Sequence, residues 1–344
     1  MGGKGLSDNR TRSFISDRWP LLIALWVAIS SDLAVIAVLW PKAQAVDFAV
    51  FWRAVHALHP YAPNEQPFVY PPTALLWFWP LRAVDVWNGY LAWTAVSLAA
   101  FMIAALRLYG RGATMLALIS PAVIVGVIPG QTSLIGSAIL FAAFTTDCRW
   151  CRGILLGALM TFKPQLAVMA PLFLLLRRDW LSVLALALTG AFIAALTTAL
   201  FGGAIWRDWI DAIPGFQDIV ANRGLSMSAV SPAAFAKTIG LPSLPLLALG
   251  CIAAIVIAVK SGALNRQELP AMIAAASLFA APYALRYDMI AIAPAMAAVI
   301  LSERSRKALL ACVAYSATFG PLSLAASTCL LDLRSSRAKS VQPT

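Results

Sequence analysis

PLLIALWVAISSDLAVIAVLW, residues 20–40, is the stretch whose reading decides the fold. Asp32 is its one charged side chain. The hydrocarbon core of a bilayer is about 30 Å thick, and a helix needs about 20 mostly apolar residues to cross it. Trp40-Pro41-Lys42 follows the stretch where a cleaved signal peptide would have a small-residue site, so the segment reads as an anchor. Working outward, comparable apolar blocks recur at 87–108, 113–128, 132–148, 153–176, 181–202, 241–260, 269–285, 289–302 and 308–330. The 344-residue chain is 61% hydrophobic and 12% charged, the latter about half the share usual in soluble domains. Backbone polar groups inside lipid must be paired internally, which leaves helices or closed barrels. Barrel strands alternate polar and apolar residues, and these blocks do not.

The expectation is therefore an all-α, polytopic membrane protein with about nine to eleven transmembrane helices, extracytoplasmic loops and interfacial helices. The expected organisation is a basic cytoplasmic tail over 1–19, a single transmembrane domain over 20–330 and a polar tail over 331–344. The first outer loop would span 41–86 and a large outer loop 203–240. Segment 71–86, PPTALLWFWPLRAVDV, is short and broken by proline, which suits an interfacial helix with its tryptophans at headgroup depth.

Net charge is +11. In a chain this apolar, cytoplasmic basic loops explain that charge better than nucleic-acid binding does, and no nucleic-acid partner is expected. Lys4, Arg10, Arg12 and Arg18 set the first terminus inside, joined there by Arg107, Arg111, Arg149, Arg152, Arg177, Arg178, Lys260, Arg266, Arg304, Arg306 and Lys307. This assignment treats 153–176 as a short hairpin bent at Lys163-Pro164. The cysteines at 148, 151, 251, 312 and 329 lie in or beside apolar blocks. Cys148-Arg-Trp-Cys151 lacks the second Cys or His pair of a zinc site, and the cysteines read as packing residues.

The remaining polar residues then gather on the outer side. They are the 47–66 loop with Asp47, the Pro129-Gly130-Gln131 turn, Lys163 with Gln165, the 203–240 segment with Arg223, and Arg286-Tyr287-Asp288. An ionisable residue at membrane depth is costly and is a functional candidate by default. Lys163 and Asp288 have apolar sequence on both sides; structural pairing, or snorkelling of Lys163 to the interface, is the competing reading. Asp47 is positioned to be a general base that takes the proton of an attacking sugar hydroxyl, against the plainer reading of a helix N-cap or a solvated charge. Lys163, Arg223 and Arg286 are the cations available to a leaving phosphate. Trp52, Tyr61 and Tyr70 suit sugar stacking and suit the aromatic belt equally.

Four motifs, in order, resemble glycosyltransferase family 87: DFAVFWRA to FVYPPTALL (47–76), PGQTSLI (129–135), GALMTFKPQ (157–165) and APYALRYDM (281–289). The resemblance implies a GT-C fold with its active site on the extracytoplasmic side, in a multi-pass bacterial inner membrane protein. It implies a hexosyltransferase, most readily a mannosyltransferase, that uses a polyprenyl-phosphate sugar and a lipid-linked or envelope glycan acceptor. The catalytic aspartate of that family carries over onto Asp47, its GQ turn onto Gly130 and Gln131, its KPQ motif onto Lys163 and Gln165, and its YD onto Tyr287 and Asp288. Lys163 and Gln165 are then expected near the donor phosphate, and Gln131, Tyr287 and Asp288 around the sugar. His59 stands near where the family has glycine, and it either contacts sugar or phosphate or caps the turn. No DxD motif stands in the chain, so neither metal nor other cofactor is expected. The alternatives are a non-catalytic membrane scaffold and a lipid or solute transporter; one-sided polarity and the lack of repeats weigh against the transporter.

Overall fold

The computed structural model describes residues 19–62, 67–222, 229–261, 264–302, 306–316 and 320–340. The expected tail over 1–19 and the candidate Arg223 lie outside these residues, apart from Trp19. Helices are the regular elements among the described residues, together with one isolated antiparallel bridge between Ala229 and Leu285.

In chain order the α-helices are α1 (Trp19–Ala43), α2 (Val46–His56), α3 (Ala74–Phe78), α4 (Val86–Leu118), α5 (Pro121–Val127), α6 (Ser133–Thr145), α7 (Arg149–Phe162) and α8 (Ala170–Leu176). They continue with α9 (Trp180–Phe201), α10 (Ala204–Asn222), α11 (Pro232–Thr238), α12 (Ser243–Lys260), α13 (Leu269–Phe279), α14 (Ala293–Ser302), α15 (Arg306–Ser316) and α16 (Pro321–Ser340). Short 3₁₀ turns occupy Trp79–Ala83, Pro164–Leu166 and Arg286–Ala291.

The expected bundle of nine to eleven transmembrane helices is not what forms. Among the described residues four helices are long and apolar enough to cross a bilayer: Leu21–Val38 within α1, then α4, α9 and α12. These four leave large apolar side chains exposed, among them Trp26, Leu33, Phe192, Leu200 and Ile252. The other blocks are apolar for a different reason. α13 is buried along all but its last residue, and α14 is nearly as enclosed, so both are core helices inside the protein. Apolar segments of 10–14 residues are more often core or re-entrant than spanning.

Local breaks explain why the blocks stop short. Gly110 adopts φ 79°, ψ 176° inside α4, and Ser120-Pro121 then starts α5 with the Ser120 hydroxyl capping the Val123 amide. Block 113–128 is thereby cut into two pieces. Block 153–176 is divided at Lys163, whose backbone (φ −141°, ψ 66°) leaves the helix before Pro164. The chain then returns toward the start of α7, where Asp179 bonds to Arg152 at 2.6 Å. Segment 203–240, read from sequence as a loop, is α10 and α11 over most of its described length. Residues 331–340 of the expected polar tail continue α16.

Packing is continuous. α7 runs along α9, α6 lies against α4 and α7, and α14 against α4. Of the cysteines read as packing residues, Cys312 is buried, whereas Cys148, Cys151 and Cys329 are exposed.

Candidate active site

The site begins with how α2 enters. The first amides of a helix have no partner within it. Here Asp47 and Phe48 donate theirs to the Pro129 carbonyl at 3.1 and 2.9 Å, and Ala45 donates to Ile128 at 3.0 Å. The turn after α5 therefore serves as the cap of α2. Gly130 has φ 78°, and a Cβ there would stand 2.7 Å from the Phe48 Cβ. Glycine at this position satisfies both the left-handed backbone and the close approach of α2.

That docking brings Gln131 to Asp47, with the Gln131 Nε2 donating to Asp47 Oδ2 at 2.5 Å. Asp47 makes no ion pair among the described residues. Burial pushes its carboxyl above the ordinary range, opposed by the Gln131 hydrogen bond and the Lys163 charge.

Tyr70 forms the next side. Phe51, Phe68 and Phe78 pack around its ring, and Tyr61 donates to its carbonyl at 2.8 Å. The Tyr70 hydroxyl meets Thr132 Oγ1 at 2.9 Å and Gln131 Oε1 at 3.4 Å. Thr132 in turn accepts from the Lys163 ammonium at 3.1 Å.

Lys163 and Asp288 lie behind this wall. Their charged ends are 3.0 Å apart and both side chains are 0% exposed. Asp288 also accepts from the Ser133 hydroxyl at 2.9 Å and the Leu285 amide at 3.0 Å. Burial, the largest single influence, works against the Lys163 ammonium, but Asp288, Tyr70 and Asp47 together outweigh it and its pKa lies above the usual value. Lys163, expected beside a donor phosphate, thus has its ammonium engaged with Asp288 and Thr132 and under the Tyr287 ring, 5.1 Å from the centroid. Asp288, expected around the sugar, is likewise enclosed.

In front of the wall is a cavity of about 320 Å³. Its polar lining is Asp47, Tyr70, Gln131, Gln165, Tyr283 and Tyr287. Its apolar lining includes Phe51, Val69, Val168, Trp209, Ile213 and Pro282. All four motif segments reach it, separated by more than 200 positions along the chain.

The other expected residues fall elsewhere. His59 and Tyr61 line a second cavity, about 390 Å³, with Ala62, Asp208, Asp211 and Ala212. Arg286 lies off both cavities, its Nε buried and unpartnered among the described residues. Among the described residues no group of three or more His, Cys, Asp or Glu side chains is placed to hold a metal ion.

Sequence reading missed Thr132, Tyr283 and the α10 wall. Trp209 fixes that wall by donating to the Val69 carbonyl at 3.1 Å. Ile205, Trp209 and Ile213 recur at i, i+4, i+8, a helical stripe that was available in the sequence.

Residues 68–286 match the family model described as glycosyltransferase family 87. The match takes in Tyr70, Gln131, Lys163 and Gln165; Asp47 and Asp288 lie outside it. No match was found among curated proteins or among solved structures.

Proposed function

The chain belongs to glycosyltransferase family 87 and is a membrane glycosyltransferase; from that premise we propose that it moves a hexose, mannose in the first instance, from a polyprenyl-phosphate donor to a lipid-linked or envelope glycan acceptor. Asp47 is the general base. The acceptor hydroxyl oxygen bonds to the anomeric carbon while the bond from that carbon to the phosphate oxygen breaks. The hydroxyl proton passes to Asp47, and the polyprenyl phosphate leaves with the electron pair. A single displacement of this kind inverts the anomeric centre.

One observation carries this reading: Asp47 faces a cavity of about 320 Å³ held by one hydrogen bond and no ion pair among the described residues. A carboxylate with an unspent lone-pair face and a raised pKa suits proton abstraction. The apolar lining at Val168, Trp209, Ile213 and Pro282 suits the first isoprene units of a lipid donor. Gln165, Tyr283 and Tyr287 are the polar groups available to the sugar and phosphate.

The role of Lys163 and Asp288 is proposed as support: they fix Thr132, and through it Tyr70 and Gln131, behind the reacting groups. For the side of the membrane, α7 supports an extracytoplasmic site. It runs from Arg149 and Arg152 to Lys163, about 20 Å at 1.5 Å per residue, so the cavity lies at the end away from those cations.

The test is transfer by purified protein in lipid, with radiolabelled hexoses supplied as polyprenyl phosphates and, in parallel, as nucleotide sugars, plus an extract of envelope lipids. Product from the lipid donor alone, with inverted anomeric configuration, is expected. Product from the nucleotide sugar, or retained configuration, would overturn the proposed donor or the single displacement.

A further inference from the structure

The Cys148-Arg-Trp-Cys151 stretch is not used by the cavity chemistry. It sits at the other end of α7, where both cysteines are exposed. Cys148 is the N-cap residue of this 14-residue helix, and its sulfur accepts from the Cys151 amide at 3.2 Å. The Cys151 thiol donates to the same sulfur at 2.6 Å. Two thiols three residues apart on one helical turn therefore lie in direct contact.

The surrounding turn is held in place. Arg152 bonds to Asp179 at 2.6 Å and to the carbonyls of Ala143 and Thr146 at 3.3 Å each. Ser182 donates to the Arg149 carbonyl at 2.9 Å, tying the same turn to α9. The Cys148 amide is occupied by Thr146 Oγ1 at 3.2 Å. The start of α7 is therefore a fixed platform that presents a thiol pair to solvent.

The two sulfurs are not equivalent. Hydrogen bonds from the Cys151 thiol and amide, with the Arg152 charge behind them, lower the Cys148 pKa. The same thiol contact raises that of Cys151. Thiolate stabilised at a helix N-terminus is the attacking species in thiol–disulfide exchange, and the neighbouring thiol is placed to resolve it.

We propose that Cys148 and Cys151 are a reversible dithiol–disulfide couple, with Cys148 the nucleophile and Cys151 the resolving thiol. The oxidant is an external disulfide, carried by a small thiol compound or a thiol–disulfide oxidoreductase. The Cys148 thiolate attacks one sulfur of that disulfide; a Cys148–sulfur bond forms and the first external thiolate leaves. Cys151 loses its proton and attacks the Cys148 sulfur, releasing the second external thiolate. Two protein thiols become one disulfide, and two electrons with two protons reduce the external disulfide to two thiols. The proposal stands apart from the transfer reaction and does not need it.

The full chain in lipid nanodiscs would be equilibrated across ratios of reduced to oxidised dithiothreitol, quenched in acid, alkylated and weighed intact. One transition that removes two alkylation sites together is expected. It should be absent in Cys148→Ser and in Cys151→Ser, and retained in Cys251→Ser, Cys312→Ser and Cys329→Ser. With brief alkylation at neutral pH, Cys148 should react about tenfold faster than Cys151. Independent labelling of both cysteines at every ratio would overturn the proposal, as would a transition that survives Cys148→Ser. Both substitutions are on exposed residues, so loss of the fold does not mimic the expected result.

Discussion

The cavity wall and the layer behind it each carry one carboxylate, and the two are used in opposite ways. Asp288 is fully enclosed, and its oxygens receive an ammonium, a hydroxyl and a backbone amide. Asp47 is half-buried, receives one amide from Gln131 and faces open space. A buried charge that is ion-paired and hydrogen-bonded on both oxygens holds structure together. One that is desolvated yet left short of partners keeps its basicity for something that enters. Charge type and apolar context, the same for both, do not tell them apart; partner count does.

The sharpest way to break this contrast is to neutralise each carboxylate. Asp47→Asn should lower sugar transfer by roughly 10²–10⁴-fold, the usual worth of a general base, without lowering thermal stability. Its sign on stability follows from the raised pKa. The folded state holds the Asp47 proton more tightly than the unfolded chain, so this group favours folding on the acid side. That contribution is lost as pH rises through the folded value, and Asp47→Asn removes the loss. An active Asp47→Asn would make the two carboxylates alike.

Next in size is the pair behind the wall. Lys163→Met leaves Asp288 buried without its cation and should cost about 3–5 kcal/mol in an unfolding experiment. Lys163→Met with Asp288→Leu should recover most of that loss, because a well-packed apolar pair replaces the ion pair. A double variant as unstable as the single one would mean that Asp288 has a task beyond pairing.

Gly130→Ala should cost about 1–2 kcal/mol for the left-handed backbone alone, with a further share from the Phe48 contact. Activity is expected to fall as well, since α2 must retreat and take Asp47 with it. Unchanged activity would separate the docking of α2 from the chemistry.

The smallest effect, and the most specific, is on pH dependence. Asp47 must be unprotonated to accept a proton, so transfer should fall as pH drops through its raised pKa. The Gln131 bond lowers that pKa. Gln131→Leu should therefore move the acid limb of the pH–rate profile to higher pH, with Lys163→Arg leaving it nearer wild type. An acid limb that stays put would remove Gln131 as the group that sets Asp47.

Much of the site was legible because it is written in short motifs. Gln131, Gln165, Tyr287 and Asp47 could be named from residue type and order, and they meet at one cavity. Lys163 and Asp288 were equally visible as costly polar residues, but whether two such residues pair or wait for a ligand depends on a distance across the fold. Trp209 was passed over because segment 203–240 reads as polar; its i, i+4 stripe marks a helix only when that spacing is weighed.

The sequence by itself determined an all-α, membrane-associated protein and its family, because hydropathy and short motifs are local properties. The tertiary structure decided how many apolar helices are long enough to span and which lie inside. α13 and α9 are equally apolar, yet one is walled in by protein while the other leaves Phe192 and Leu200 exposed. Apolar side chains satisfy a protein interior and a lipid interior alike, so composition cannot divide them. Helix breaks at Gly110, Ser120-Pro121 and Lys163-Pro164, and the packing those breaks permit, make the division.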